Sequence, residues 1–227
     1  SIYGNYLAGR HAQTIKDTSS ATVYFQKALT LSPGNKDLLQ RTFLVMLSEG
    51  NFTESIPLAH KVLAKEPKSA IANLAVITDY ISTGRFNEAM EKITSLHAGG
   101  LNGYMAPLLA AWTSQAQNKN LNEVFDHLQP LNKNGSAPLY YLHKALLFDI
   151  NGDQESAIDA YLKGIKEQDG IILRVAQLLG NLYERKGNTE RAKALYTDFY
   201  KANPNSPFAR KALKNISSSK IPKPIIK

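Results

Sequence analysis

Apolar residues recur along this chain at three- and four-residue intervals, in blocks separated by short polar turns that carry glycine. Leu38, Leu39, Phe43, Met46 and Leu47 form one block, and Leu178, Leu179, Leu182 and Tyr183 form another. Both fit one face of an α-helix, because side chains three and four positions apart lie on the same side. After the turn comes a second amphipathic run, as in Ala157, Ile158, Tyr161, Leu162 and Ile165. The unit predicted is therefore a helical hairpin. Its turn recurs as Glu49-Gly50-Asn51-Phe52, Thr83-Gly84-Arg85-Phe86, Asn151-Gly152-Asp153 and Lys186-Gly187-Asn188, with glycines 34, 68 and 35 residues apart. The double interval is filled by a glycine-free turn, Asn118-Lys119-Asn120-Leu121. Ser32-Pro33-Gly34, Glu66-Pro67 and Asn203-Pro204 close several second helices, since proline stops continuation and biases the preceding residue away from helix.

A repeat of this length with these residues resembles the tetratricopeptide repeat family, a helix-turn-helix of about 34 residues. The last copy carries Leu179, Gly180, Tyr183, Gly187, Ala192, Tyr196 and Pro204 at the family's spacing, and the first carries Gly9, Ala21, Phe25, Ala28 and Pro33. Small residues suit close helix crossings, and the aromatic is expected to fill the gap between neighbouring hairpins. Departures are Ser55 and Gly164 at alanine positions, and Trp112 where the family has a small residue. Trp112 reads as a core filler that pushes its helices apart.

The fold class expected is all-α: a right-handed superhelical solenoid of about six such hairpins with a C-terminal capping helix. The repeats fall near 2–35, 36–69, 70–103, 105–137, 138–172 and 173–206, within a single solenoid over 1–216. Residues 98–103, with three glycines, predict a looser junction. Residues 207–216 place Phe208, Leu213 and Ile216 opposite Arg210, Lys211 and Lys214, as a polar-faced cap requires. Residues 217–227 read as a flexible basic tail.

The resemblance also implies a binding face. In that family the first helix of each hairpin lines a concave groove through positions 2, 5, 9 and 12 of the repeat. Those positions hold Tyr3, Tyr6 and Arg10 in the first copy, Leu74 and Ile81 in the third and Leu109 in the fourth. They hold Leu139, Leu142, Leu146 and Asp149 in the fifth, and Arg174, Gln177, Asn181 and Glu184 in the last. The predicted partner-binding residues are Tyr6, Arg10, Leu74, Ile81, Leu109, Leu142, Leu146, Arg174 and Asn181. An apolar middle between polar ends suits a peptide or protein segment of apolar character, oriented by Arg10 or Arg174. A tight superhelix, a homodimer or the chain's own tail filling the groove are the competing readings. A carboxylate-clamp co-chaperone is disfavoured, because Leu, Thr and Ala occupy the clamp positions in the central copies.

Composition narrows the chemistry. There is no cysteine, which excludes disulfides, thiolate metal sites and a cysteine nucleophile. His11, His60, His97, His127 and His143 fall in different copies without a metal-ligand partner at helical spacing. The stretch Asp149-x-Asn151-Gly152-Asp153-x-Glu155 is only faintly calcium-loop-like, with its glycine two positions early, and reads as the repeat turn. Neither a glycine-rich phosphate loop nor a Gly-x-Ser-x-Gly elbow occurs. The expectation is a non-enzymatic scaffold or adaptor without cofactors. The formal charge of +8 is concentrated at one end: seven of the 27 basic residues, and none of the 19 acidic ones, follow Asp198. Membrane-surface or nucleic-acid association through that basic segment is the alternative function, with nucleic acid the less favoured of the two for want of interleaved aromatics. Because the chain opens at Ser1 and runs straight into the first repeat, it resembles exported bacterial tetratricopeptide proteins. A periplasmic or otherwise exported location is expected, with the cytoplasm as alternative.

Overall fold

The computed structural model describes residues 1–97, 99–133, 135–168, 170–216 and 222–225. Among these residues it contains thirteen α-helices and no strand. The helices divide between two compact units, Ser1–Gln117 and Asn118–Lys227.

The first unit holds α1 (Ile2–Thr14), α2 (Thr18–Leu31), α3 (Lys36–Glu49), α4 (Phe52–Lys65), α5 (Ala70–Ser82), α6 (Phe86–Thr94) and α7 (Asn102–Ala116). Each helix packs on its successor. The buried clusters show how. Ala12 of α1, Phe25 and Ala28 of α2, and Leu38 and Val45 of α3 form one cluster. Leu39 and Phe43 of α3, Ile56 and Val62 of α4, and Ala72 and Val76 of α5 form the next. Ile77 of α5, Ile93 of α6 and Ala110 of α7 continue the series. Every cluster thus joins one hairpin to the first helix of the following one, so that no hairpin completes its core alone. That stacking of cores is the physical definition of a solenoid.

The second unit holds α8 (Leu121–Lys133), α9 (Ala137–Ile150), α10 (Gln154–Glu167), α11 (Leu173–Arg185), α12 (Thr189–Ala202) and α13 (Pro207–Asn215). The same three-helix rule applies at its end, where Ala176 of α11, Phe199 of α12 and Ala209 of α13 are buried together. Phe208 on α13 meets the rings of Tyr196 and Phe199 with centroids 5.6 and 6.2 Å apart.

Local chemistry sets the helix limits. Asp17, Asn35, Asp153, Asn188 and Ser206 each accept a hydrogen bond from a backbone N–H three residues on, which satisfies one of the donors left free at a helix start. Within four of the hairpins the chain reverses through a left-handed residue, Gly50 (φ 87°), Gly84 (φ 74°), Gly152 (φ 85°) and Gly187 (φ 71°). Two links between successive helices contain a left-handed residue other than glycine, Lys16 (φ 61°) between α1 and α2 and Asn118 (φ 57°) between α7 and α8.

The paired small and aromatic positions meet inside one hairpin. A Cβ at Gly9 would lie 2.9 Å from the Phe25 ring, and one at Gly180 would lie 2.2 Å from the Tyr196 ring. The aromatic was expected between hairpins. It does reach the next helix, through Leu38 and Phe208 respectively, but its primary seat is the glycine of its own hairpin. Trp112 is half-buried on α7.

Candidate partner-binding face

The residues singled out for the groove sort differently in the two units. In the first, Tyr6 is half-buried: its ring lies 6.1 Å from Phe25, and the Arg41 guanidinium sits 5.9 Å from its centroid. Arg10 is exposed and Leu74 half-buried. Ile81 and Leu109 both pack at the margin of the cluster around Ile77 and Ile93. These two leucine-type side chains serve the core as much as the surface.

In the second unit, Leu142 of α9 faces a cavity of about 210 Å³ that it lines with Leu139 of the same helix, Tyr161 and Gly164 of α10, and Ile172 and Val175 at the start of α11. This is smaller than the roughly 300–1,000 Å³ typical of small-molecule sites, so it suits an inserted side chain better than a cofactor. Gly164 helps to leave the space. The family's alanine there would bring a Cβ to 3.1 Å from the Tyr141 Cβ, so glycine lets α10 approach α9. Leu146, in contrast, is buried at 7% exposure and contributes to the core.

Two residues of the lining, Tyr161 and Gln168, carry polar groups. The Tyr161 hydroxyl is buried and makes no hydrogen bond. An unsatisfied buried polar group costs about 1–3 kcal/mol. Burial drives its pKa well above the usual tyrosine value, the negative charge of Asp149 adds to the rise, and Arg174 and Arg185 oppose it. The hydroxyl therefore stays protonated, in the field of two guanidinium groups. Of these, Arg174 is exposed.

Arg185 is committed elsewhere. Its Nη2 donates to Oδ1 and Oδ2 of Asp149 at 2.7 and 2.6 Å, with both side chains only 11% and 13% exposed. Its Nε donates to Oδ1 of Asn181 at 3.0 Å. Asn181, at 8% exposure, then donates through Nδ2 to the backbone oxygen of Lys223 at 3.0 Å. Glu184 accepts a hydrogen bond from the Tyr196 hydroxyl. Asp149, Arg185, Asn181 and the Lys223 carbonyl thus form one continuous chain of hydrogen bonds.

The faint calcium-loop pattern is also resolved by these pairings. Asp149 is held by Arg185, Glu155 by Lys186, and Asp153 caps α10 by accepting from the Ser156 N–H. Among the described residues no group of three or more His, Cys, Asp or Glu could hold a metal ion. His143 is largely buried, and desolvation lowers its pKa to about 4, so it is neutral at physiological pH. Among the described residues no helix is long and apolar enough to cross a membrane.

Sequence reasoning did not single out Tyr161, Arg185 or the cavity. Signals for them existed: Gly164 departs from the family's alanine, and Asp149 and Arg185 are opposite charges about one repeat apart.

Residues 173–206 match the sequence profile of the tetratricopeptide repeat family. No curated protein matches the chain. Among solved structures it is similar to PilW, a widely conserved type IV pilus biogenesis factor, at a TM-score of 0.63 and 17% identity, covering 93% of this chain and 98% of that one. It is similar to a tetratricopeptide repeat protein from Parabacteroides merdae, at 0.65 and 15%, covering 95% and 84%. The third is PilF of Pseudomonas aeruginosa, at 0.57 and 17%, covering 96% and 97%.

Proposed function

We propose, from the premise that this chain is a tetratricopeptide-type all-α helical-repeat solenoid, that it is a non-catalytic scaffold whose second unit grips a partner polypeptide on the face formed by α9 and α11. Tetratricopeptide solenoids serve as protein-interaction scaffolds, and this much follows from the fold. The observation that carries the narrower reading is the apolar cavity that Leu142 lines with Leu139, Ile172 and Val175. An apolar side chain of the partner would fill the cavity. Arg174, exposed at the rim, would contribute a charged contact to a carboxylate or carbonyl.

The test is affinity capture with the intact chain from its native cell, compared with Leu142→Glu and Arg174→Glu. A charge at Leu142 cannot enter an apolar cavity without several kcal/mol of desolvation, so one specific prey should be lost, and Arg174→Glu should weaken it. Val23→Glu, at an exposed position on α2, controls for added charge. An identical prey set for parent and Leu142→Glu, with the variant folded, would sink this reading.

The likeness in fold and length to PilW and PilF supports the further reading of an exported bacterial scaffold. Fractionation of the native cell decides it: recovery of the chain from the cytoplasm alone would remove that reading and leave the binding face untouched.

A further inference from the structure

Asn181 is satisfied by the chain itself. Its carboxamide could be placed either way round, but the Arg185 guanidinium only donates hydrogen bonds, so the Asn181 oxygen must face it. The amide –NH2 is thereby turned toward Lys223, where it meets a backbone oxygen at 3.0 Å. Arg185 is itself fixed by two bonds to Asp149. The donor on Asn181 is consequently preset before anything binds, and the acceptor that meets it is a backbone carbonyl.

The segment that supplies this carbonyl is suited to the task. Residues 222–224 have no helix or strand structure, and Pro222 is half-buried while Lys223, Pro224 and Ile225 are exposed. Pro222 and Pro224 have no N–H, so the segment brings few donors that docking would strand. A residue before proline is biased to extended backbone, which holds Lys223 in the form that offers its carbonyl outward at little entropic cost. Lys223 is only eight positions beyond the end of α13, and so short a tether gives an effective concentration on the order of millimolar. Even a weak intrinsic affinity then keeps the site occupied.

We propose that Pro222–Ile225 is a built-in ligand of the Asn181 site, and that an outside polypeptide must displace it by presenting its own extended, carbonyl-bearing segment to Asn181. This rests on the reading of α9 and α11 as the binding face, and it adds to that reading both a ligand class and a regulatory element.

The chain has no cysteine, so Ile225→Cys gives a single labelling site at an exposed position. A nitroxide attached there in the otherwise intact chain should broaden the amide resonances of α11 around Gln177–Glu184. Excess unlabelled peptide of sequence 218–227 should relieve the broadening. So should Asn181→Ala, and so should Pro222→Gly/Pro224→Gly, which leaves the folded face unaltered. With its internal competitor weakened, the unlabelled Pro222→Gly/Pro224→Gly chain should bind the free peptide at least about threefold more tightly than the parent. Absence of broadening in the parent, broadening that persists in both variants, or equal peptide affinity in parent and double-glycine chain overturns the proposal. The readout involves no partner, so it can fail while Leu142→Glu still abolishes capture, and the reverse.

Discussion

Gly180 and Tyr196 are in such close contact that no other residue fits at position 180. A Cβ there would fall 2.2 Å from Cε1 and 2.4 Å from the hydroxyl oxygen of Tyr196. The ring cannot swing away freely, because it is buried, stacks edge-on against Phe208 and bonds Glu184 through its hydroxyl. Gly180→Ala should therefore destabilise the chain by about 2–3 kcal/mol, with overpacking outweighing the gain of nearly 1 kcal/mol in helix propensity. Gly103→Ala on α7, where an added Cβ meets nothing within 4 Å, is the control and should be neutral or slightly stabilising. Urea midpoints of the three chains check both signs.

Removing one member of the Asp149–Arg185 pair leaves the other charge largely buried. Arg185→Ala should cost about 2–4 kcal/mol and Asp149→Ala a similar amount, whereas the double substitution should cost less than the two together. Arg185→Lys should restore only part, since the one nitrogen of an ammonium cannot stand at both the Nη2 position facing Asp149 and the Nε position facing Asn181. A double-mutant cycle by denaturant unfolding gives the coupling.

His143 makes stability depend on acid. Its pKa is about 4 in the fold against 6.5 for an unperturbed group, because burial disfavours the charged form. The unfolded chain takes up a proton below about pH 6.5 and the folded chain does not until about pH 4. The contribution is thus fully present above pH 6.5 and is lost as pH falls toward 4, by roughly 3 kcal/mol. Unfolding free energies measured from pH 7 to 4 should fall more steeply for the parent than for His143→Gln. Parallel curves would refute this assignment.

Lys16 turns the first hairpin with φ at 61°, a left-handed conformation that costs a non-glycine residue about 1–2 kcal/mol. Lys16→Gly should stabilise the chain by about 0.5–1 kcal/mol after the entropy cost of glycine is taken off. Gly50→Ala, at φ 87°, should do the opposite. Thermal midpoints of both variants provide the check.

The all-α repeat fold was legible because its causes are local. The i, i+4 spacing of Leu39 with Phe43 and of Leu178 with Leu182 sets the buried faces of α3 and α11, and the glycine-bearing turns fix where α3 and α11 stop. The same frame named the Gly180 and Tyr196 positions, although it assigned the aromatic to the gap between hairpins and missed that it seats first on its own glycine. The binding face was less legible. Positions 2, 5, 9 and 12 identify which residues point to one side of a first helix, but not what the neighbouring helices do to them.

By itself, then, the sequence determined the helices, their hairpin order, the positions of the small and aromatic residues and the concentration of positive charge after Asp198, since each depends on spacing along the chain. Only the tertiary structure decided that Leu146 is buried while Leu142 faces a cavity, and that Tyr161 loses every partner for its hydroxyl. Only there does Arg185, 36 positions from Asp149, turn the Asn181 amide toward the carbonyl of Lys223. Those relations depend on how closely α9, α10 and α11 approach one another. That distance is set by the volumes of side chains such as Gly164 and Tyr141 meeting in space, and no periodicity records it.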